Sequence, residues 1–308
     1  MAGRPWAGLL TESRNPRSRA LDRMPTARIV RLLLDEDRRA VTAALAAVPA
    51  ITRAADEAAR ALGGGGRVVF IGAGTSGRLG VLEAAECPPT FGSDPGRILG
   101  VMAGGESAVF RAVEGSEDRG EDGAAQAAGR VGQGDLLVGV SASSVTPFVR
   151  GALQAARARG ARTVLVTCAP GRGLGALADV VVVAATGPEV LTGSTRLKAG
   201  SATKAVLNAI TTAAMVKLGK AYENLMVDLK PSSAKLRDRT LRIVSAAAGV
   251  TPARAARLLA AAGGEVKTAI VMGKRSLSAS EARTRLDETG GHVRAALRPR
   301  KTTPKRRR

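Results

Sequence analysis

The chain has 308 residues, 45% of them hydrophobic but only 2% aromatic, and a formal net charge of +21. That length suits one large α/β domain with a smaller partner, and the core has to be built from Val, Leu, Ile and Ala. No apolar run approaches the roughly 20 residues of a membrane span, no secretion signal opens the chain, and two cysteines (Cys87, Cys168) with one histidine (His292) make neither a disulfide framework nor a metal site.

Taken in chain order, residues 1 to about 26 are polar with scattered Pro and Arg and read as an extended arm. Thr26 is expected to cap a helix over about 27–47, with Leu32, Leu33 and Leu34 among its apolar positions. A second helix over about 52–62 ends at the glycine run Gly63–Gly66. Next comes RVVFIGAGTSGRLGVLEAAECPPT, residues 67–90. Val68–Ile71 reads as a buried strand and Gly72-Ala73-Gly74 as a tight turn. Thr75 and Ser76 stand at the start of a helix over 77–86, which Pro88 and Pro89 should stop.

Four more short apolar runs, Ile98–Met102, Leu136–Val140, Thr163–Thr167 and Val180–Val183, alternate with helical stretches over 124–131 and 147–159 and a short one near Leu174. Alternation of this kind specifies a doubly wound α/β fold, a five-stranded parallel sheet flanked by helices. Ligands in such sheets lie beyond the C-terminal strand ends. That rule draws together Gly74-Thr75-Ser76, Gly104-Gly105, Ser141-Ala142-Ser143 and Gly187-Pro188-Glu189. A long helix over 198–218 closes the domain and 224–235 is a connector. Helices over 235–247, 252–262 and 280–289, with 267–272 as an apolar link, form a small three-helix module; Thr251 caps the second, with Pro252 at its first position. The expected segments are 1–57 (arm and helices), 58–221 (sheet domain), 222–297 (connector and helical module) and 298–308 (basic disordered tail). Seven of the cationic residues sit in that tail (Arg298, Arg300, Lys301, Lys305–Arg308) and aromatic surface for base stacking is scarce. Nucleic acid is therefore not an expected partner, beyond non-specific polyanion contact by the tail.

Two turns carry the chemistry. A strand running into a Gly/Ser/Thr turn and a helix N-terminus is an anion site, because free N–H groups and hydroxyls converge where the helix dipole favours negative charge. The stretch 72–77 matches G-x-G-x-x-G, but the second strand ends Met102-Ala103-Gly104-Gly105 without the acid that holds a ribose, so a dinucleotide is disfavoured. The second turn, Ser141-Ala142-Ser143-Ser144-Val145-Thr146-Pro147, repeats the arrangement. Helix capping is its plainer explanation; two such turns in one sheet point to a phosphate. Glu86, expected at a helix C-terminus where the dipole favours the protonated acid, is a candidate general acid. Glu114, Glu117, Asp118, Glu121 and Asp122 form an acidic cluster from which one could serve as a base, and the residues alone do not choose among them.

The blocks GAGTSGRLGVLEAAECPPTFG, AGGESAVFRAVEGSED, GPEVLTGSTRLKAGSATK and NLMVDLK, in this order and spacing, resemble the N-acetylmuramic acid 6-phosphate etherases of the sugar isomerase (SIS) family. The likeness runs from LLTESRNP near Leu10 to GGHVRAAL and leaves out only the basic tail. It implies a SIS phosphosugar-binding domain and a cytoplasmic lyase of cell-wall amino sugar recycling. The implied reaction cleaves the D-lactyl ether of N-acetylmuramic acid 6-phosphate by elimination and water addition, giving N-acetylglucosamine 6-phosphate and D-lactate. The chemistry calls for two carboxyl groups and for no cofactor or metal. By motif position the resemblance puts the acid on Glu86 and the second catalytic glutamate on Glu117. It puts Thr75, Ser76, Ser141, Ser143 and Thr146 on the phosphate, and Glu189, Ser194 and Lys198 along the site. For these last three a loop and helix cap needed for folding is an equal alternative. A homodimer is implied, since SIS-type sites are commonly completed by a neighbouring subunit.

One departure stands out. The family reads S-A-S-G-R-T-P at the second turn, and this chain has Ser144-Val145 in place of Gly-Arg. If that position needs a positive φ, the loss of Gly strains the turn. The same change leaves a second function open, a non-catalytic phosphosugar-binding regulator resembling the glucokinase regulatory protein. A phosphosugar isomerase is a third, which the ECPPT and EGSED blocks disfavour.

Overall fold

The computed structural model describes residues 8–170, 173–229, 231 and 233–299. Its centre is a parallel sheet of β1 (Val68–Gly72), β2 (Ile98–Met102), β3 (Leu136–Val140), β4 (Arg162–Thr167) and β5 (Val180–Val183), in the order β2-β1-β3-β4-β5. Every residue of β1 and β3 is buried, which explains their unbroken apolar character. Their register places Gly72 beside both Met102 and Val140. The strand order reverses between β1 and β3, so the turns leaving these two neighbours flank the topological switch point where α/β sheets bind ligands.

The helices of this unit are α1 (Thr26–Ala46), α2 (Val48–Gly63), α3 (Gly74–Phe91), α4 (Ser107–Phe110), α5 (Gly120–Ala128), α6 (Pro147–Ala158) and α7 (Lys198–Lys217). One core cluster joins Val69, Ile71 and Leu137 of the sheet to Phe148, Val149 and Leu153 of α6. Helix α3 lies close on β1 because Gly77 has no side chain: a Cβ there would stand 2.6 Å from the Gly72 carbonyl oxygen.

Several expectations need correction. Helix α3 starts at Gly74 and runs through Pro88 and Pro89 to Phe91. The prolines remove the N–H groups that would meet Ala84 and Ala85. Only the last turn lies beyond them, and Gly92 N–H closes it on Pro88 O at 2.9 Å. Glu86 is therefore not at a helix end. Thr26 is the first residue of α1 rather than its cap, with Pro25 before it, and α2 begins at Val48, four residues earlier than expected. The described stretch before α1, from Gly8, is not a plain extended arm either. It makes short 3-10 turns at Leu10–Glu12, Pro16–Ser18 and Leu21–Arg23 and buries Thr11, Asn15 and Ser18.

The chain divides into two compact units. One holds the described residues up to Cys87 with Asp94–Ala214, and the other Pro88–Ser93 with the described residues from Met215 on. Whereas the sequence sets residues 1–57 apart, α1 and α2 group with the sheet. The second unit holds a small antiparallel pair, β6 (Ala221–Tyr222) and β7 (Leu225–Met226), inside the expected connector. Its helices are α8 (Ala234–Ala248), α9 (Pro252–Ala261), α10 (Val266–Arg275), α11 (Ala279–Glu288) and α12 (Val293–Ala296). The apolar link at 267–272 is thus the buried helix α10, whose Ile270 and Val271 pack with Ile243, Val244 and Leu286. Thr251 caps α9, accepting from Arg254 N–H, with Pro252 at the start. Of the tail, only Arg298 and Pro299 lie within the described residues. Among the described residues no helix is long and apolar enough to cross a membrane.

Candidate functional site

The turn after β3 is held by its own hydroxyls. Ser141 Oγ and Thr146 Oγ1 share a hydrogen bond of 2.8 Å, and Ser144 N–H donates to Ser141 O at 3.1 Å. Thr146 stands at the N-cap of α6 yet makes no side-chain cap bond. The hydroxyl-rich run therefore does not cap the helix, and the first N–H groups of α6 face the turn without a side-chain acceptor from Thr146. Ser144 sits at φ +62°, the glycine-favouring region the sequence comparison anticipated, and its buried hydroxyl has no hydrogen-bond partner.

Across the switch point, Thr75 and Ser76 lie half-buried in the first turn of α3. The start of α7 comes alongside, where a Cβ on Gly200 would meet Thr75 Cγ2 at 3.6 Å. Glu189 holds that helix start: its carboxylate, 1% exposed, accepts from Ala199 N–H at 2.9 Å and Lys198 N–H at 3.3 Å. Burial raises the Glu189 carboxyl above its ordinary range despite these bonds. The Lys198 ammonium is turned away from solvent and paired with Glu36 of α1, both side chains being 2% exposed. Glu36 also accepts from Arg17 Nη1 at 2.6 Å and Asn15 Nδ2 at 3.0 Å. Burial raises its carboxyl, but the bonds from Lys198 and Arg17 outweigh burial and leave it below the usual range. Asn15 donates further to Pro188 O at 3.1 Å, and Gly193 N–H donates to Thr11 O at 3.1 Å. Ser194, half-buried, lies in this same loop, its N–H on Leu191 O. For Glu189 and Lys198 the geometry favours the structural alternative: they fix the loop and the N-terminal arm around the strand ends.

Glu117 lies in a 3-10 turn, Ser116–Asp118. It lines a cavity of about 420 Å³ together with Asp118, Ser143, Val145, Thr146 and Glu12 of the arm. Of the acidic cluster, Asp122 is occupied by Arg119 at 3.0 Å. The structure thus brings Glu117 together with the second turn. Glu86 is exposed on α3 and is not among the residues lining this cavity. Three residues escaped the sequence reasoning. Glu12 is one. Arg78 of α3 is another, donating to Ala108 O and Val109 O at 2.7 and 2.8 Å and so holding the segment that leads to Glu117. The third is Glu83, buried one turn before Glu86, which accepts from Asn208 and Thr211 of α7 and whose carboxyl burial raises. Their signal was present, in LLTESRNP and at helical spacing before Glu86, but nothing in the residues set them above ordinary surface charge.

Proteins of similar sequence extend over nearly the whole chain. An N-acetylmuramic acid 6-phosphate etherase of Cutibacterium acnes is 50% identical, covering 93% of this chain and 95% of its own. One from Rubrobacter xylanophilus is 51% identical over 94% and 96%, and one from Gloeobacter violaceus 49% over 94% and 95%. This chain belongs to the N-acetylmuramic acid 6-phosphate etherase family. The SIS domain profile matches residues 118–213, and that of the glucokinase regulatory protein N-terminal SIS domain matches 50–157. A phosphoheptose isomerase from Francisella tularensis shares the fold at 18% identity and a TM-score of 0.50, over 63% of this chain and 100% of its own. The etherase family therefore supplies the frame for the site, and the SIS profiles span both hydroxyl turns and Glu117.

Proposed function

We propose that this protein cleaves the D-lactyl ether of N-acetylmuramic acid 6-phosphate, acting as a carbon–oxygen lyase of amino sugar recycling in the cytoplasm. The observation that carries this is identity of about half, over more than nine-tenths of both chains, to proteins named for that activity. The geometry supports it: neutral hydroxyl donors at two helix starts suit a sugar phosphate, and Glu117 opens into the same cavity as the second turn.

In this reading Ser143, Thr146 and the N–H groups of α6 hold the phosphate, with Thr75 and Ser76 at the start of α3. The ring opens to the aldehyde, which acidifies the C2 proton. Glu117 removes that proton, the C2=C3 bond forms, and the C3–O bond breaks with its electron pair going to the lactyl oxygen. Glu86 protonates that oxygen as lactate leaves. Water then adds at C3 and the proton returns to C2. Each carboxyl group contributes about 10² to 10⁴-fold as a general acid or base.

The position of Glu86 bears on assembly. It lies eleven residues beyond Thr75 on α3, about 16 Å along the axis at about 1.5 Å per residue. In the substrate, the lactyl oxygen on C3, which Glu86 protonates, lies four bonds of about 1.5 Å from C6, so about 5 Å when extended, and the phosphate adds about 3 Å. A glutamate side chain does not make up the difference. A sugar whose phosphate sits at Thr75 and Ser76 of one chain is therefore out of reach of that chain's own Glu86, and the acid comes from a second copy in a homodimer. Leu82 on the same helix and Phe110 beside it, 47% and 88% exposed, supply apolar surface for such a partner.

Mixed dimers test this. Chains carrying Glu86→Gln co-assembled with chains carrying Glu117→Gln contain one intact site per heterodimer if the glutamates come from different copies. A random mixture then recovers about a quarter of wild-type activity. No recovery, with both homodimers inactive, would place the two glutamates in one chain.

A further inference from the structure

We infer that Glu12, on the N-terminal arm, is the residue with which the site reads the sugar: its carboxylate accepts hydrogen bonds from the hydroxyl groups next to the phosphate and favours the open-chain form. This rests on the phosphosugar reading of the cavity.

The arm is held in place by interactions that do not involve Glu12. Asn15 and Arg17 bond the buried Glu36, which is paired with the buried Lys198, and Asn15 also bonds Pro188 O. Thr11 O receives Gly193 N–H at 3.1 Å. Between these anchors Glu12 is left facing the cavity that Glu117, Ser143 and Thr146 share. Room has been made for it: a Cβ on Gly193, at φ +79°, would stand 3.1 Å from Glu12 Oε2. Among the described residues, the partner of the Glu12 carboxylate is Thr11 Oγ1, at a long 3.5 Å.

The chemistry narrows what Glu12 can bind. An ionised carboxylate only accepts hydrogen bonds, and none of the described residues lining the cavity is Lys or Arg. A phosphate oxygen would be repelled by it, whereas hydroxyl hydrogens would be bound. On a 6-phosphosugar the oxygens closest to the phosphate are O5 and O4. In the pyranose ring O5 carries no hydrogen and presents lone pairs to a carboxylate. In the open chain it is a hydroxyl donor. Glu12 therefore binds the open chain better than the ring, and the open-chain aldehyde is the form from which a C2 proton can be taken. Glu117 acts on the reacting carbon, and Glu12 on the sugar's other end.

The test measures binding by calorimetry for wild type, Glu12→Ala and Glu12→Gln with three probes: inorganic phosphate, glucitol 6-phosphate, which is acyclic with a free O5 hydroxyl, and 1,5-anhydroglucitol 6-phosphate, which is locked in the ring. A hydrogen bond to a charged acceptor predicts that Glu12→Ala weakens glucitol 6-phosphate by about ten- to hundredfold. Glu12→Gln, which keeps one acceptor oxygen, should lose less. Phosphate should bind as well or better once the negative charge is gone, and the locked ring should lose less than the open chain. Unchanged melting temperatures in both variants exclude release of the arm. Equal loss on all three probes, or none on glucitol 6-phosphate, overturns the inference while leaving the phosphosugar site standing. Failure of the wild type to bind either sugar phosphate overturns both.

Discussion

Replacing Ser144 by glycine should stabilise this protein. Ser144 stands at φ +62° in the turn after β3, is 1% exposed, and has a hydroxyl with no hydrogen-bond partner. A left-handed backbone costs a residue with a Cβ about 1–2 kcal/mol, and a buried unsatisfied hydroxyl about 1–3 kcal/mol. Glycine removes both, and gives back about 0.5–1 kcal/mol through the larger conformational freedom of the unfolded chain. The net gain is about 1–4 kcal/mol, read as a higher urea midpoint with unchanged slope, or as a rise in melting temperature of roughly 2–4 °C per kcal/mol. Ser144→Ala separates the terms, since alanine loses the hydroxyl but keeps the backbone strain, so its gain should be the smaller. A glycine variant less stable than wild type, or an alanine variant more stable than the glycine one, would refute this reasoning.

Further outcomes follow from the same geometry. Glu117→Gln and Glu86→Gln should each lower kcat by about 10² to 10⁴-fold with little change in KM, and steady-state kinetics with unchanged melts would check it. Glu36→Gln leaves the Lys198 ammonium buried without its counter-charge, which should cost about 3–5 kcal/mol and expose the arm to trypsin at Arg14 and Arg17. The Glu36 carboxyl is held below its ordinary value, so its stabilisation is present at neutral pH and lost as pH falls through the folded-state value. Glu83 and Glu189 act in the opposite sense: their raised values make the protonated forms favourable below the unfolded value, a contribution lost as pH rises through the folded one. As pH falls below the ordinary carboxylate value of 4.5, urea midpoints should therefore drop less steeply in Glu36→Gln than in wild type. Burial lifts the Cys87 thiol to about 12 and Cys168 to about 11, so neither should react with a thiol reagent at neutral pH until the protein is unfolded.

How far the fold was legible depended on the kind of signal. The five strands are plain in the sequence because each is a short apolar run bounded by Gly or small polar residues, and in β1 and β3 burial on both faces demands that composition. The six-residue apolar run at 267–272 carries no period that separates a buried helix from an extended link, and in the structure it belongs to helix α10. The end of α3 is hard to read because proline disfavours a helix without forbidding it: Pro88 and Pro89 remove the N–H groups that would meet Ala84 and Ala85, yet the helix continues to Phe91. At the site, the hydroxyl turns are readable from local rules, and the strain at Ser144 from the glycine that the resembling family carries at that position. The roles of Glu189 and Lys198 were not, since their partners Ala199 N–H and Glu36 are set by tertiary packing. Glu12 was hidden for the same reason, a charged residue in a polar arm whose place depends on Asn15 reaching Pro188.

The most direct test of the account is incubation of the purified protein with N-acetylmuramic acid 6-phosphate in ¹⁸O-labelled water, with mass spectrometry of both products. Elimination and water addition at C3 predict label at C3 of N-acetylglucosamine 6-phosphate and none in D-lactate, with both Glu86→Gln and Glu117→Gln impaired. Label in lactate, or sugar-phosphate binding without any lactate released, would contradict it.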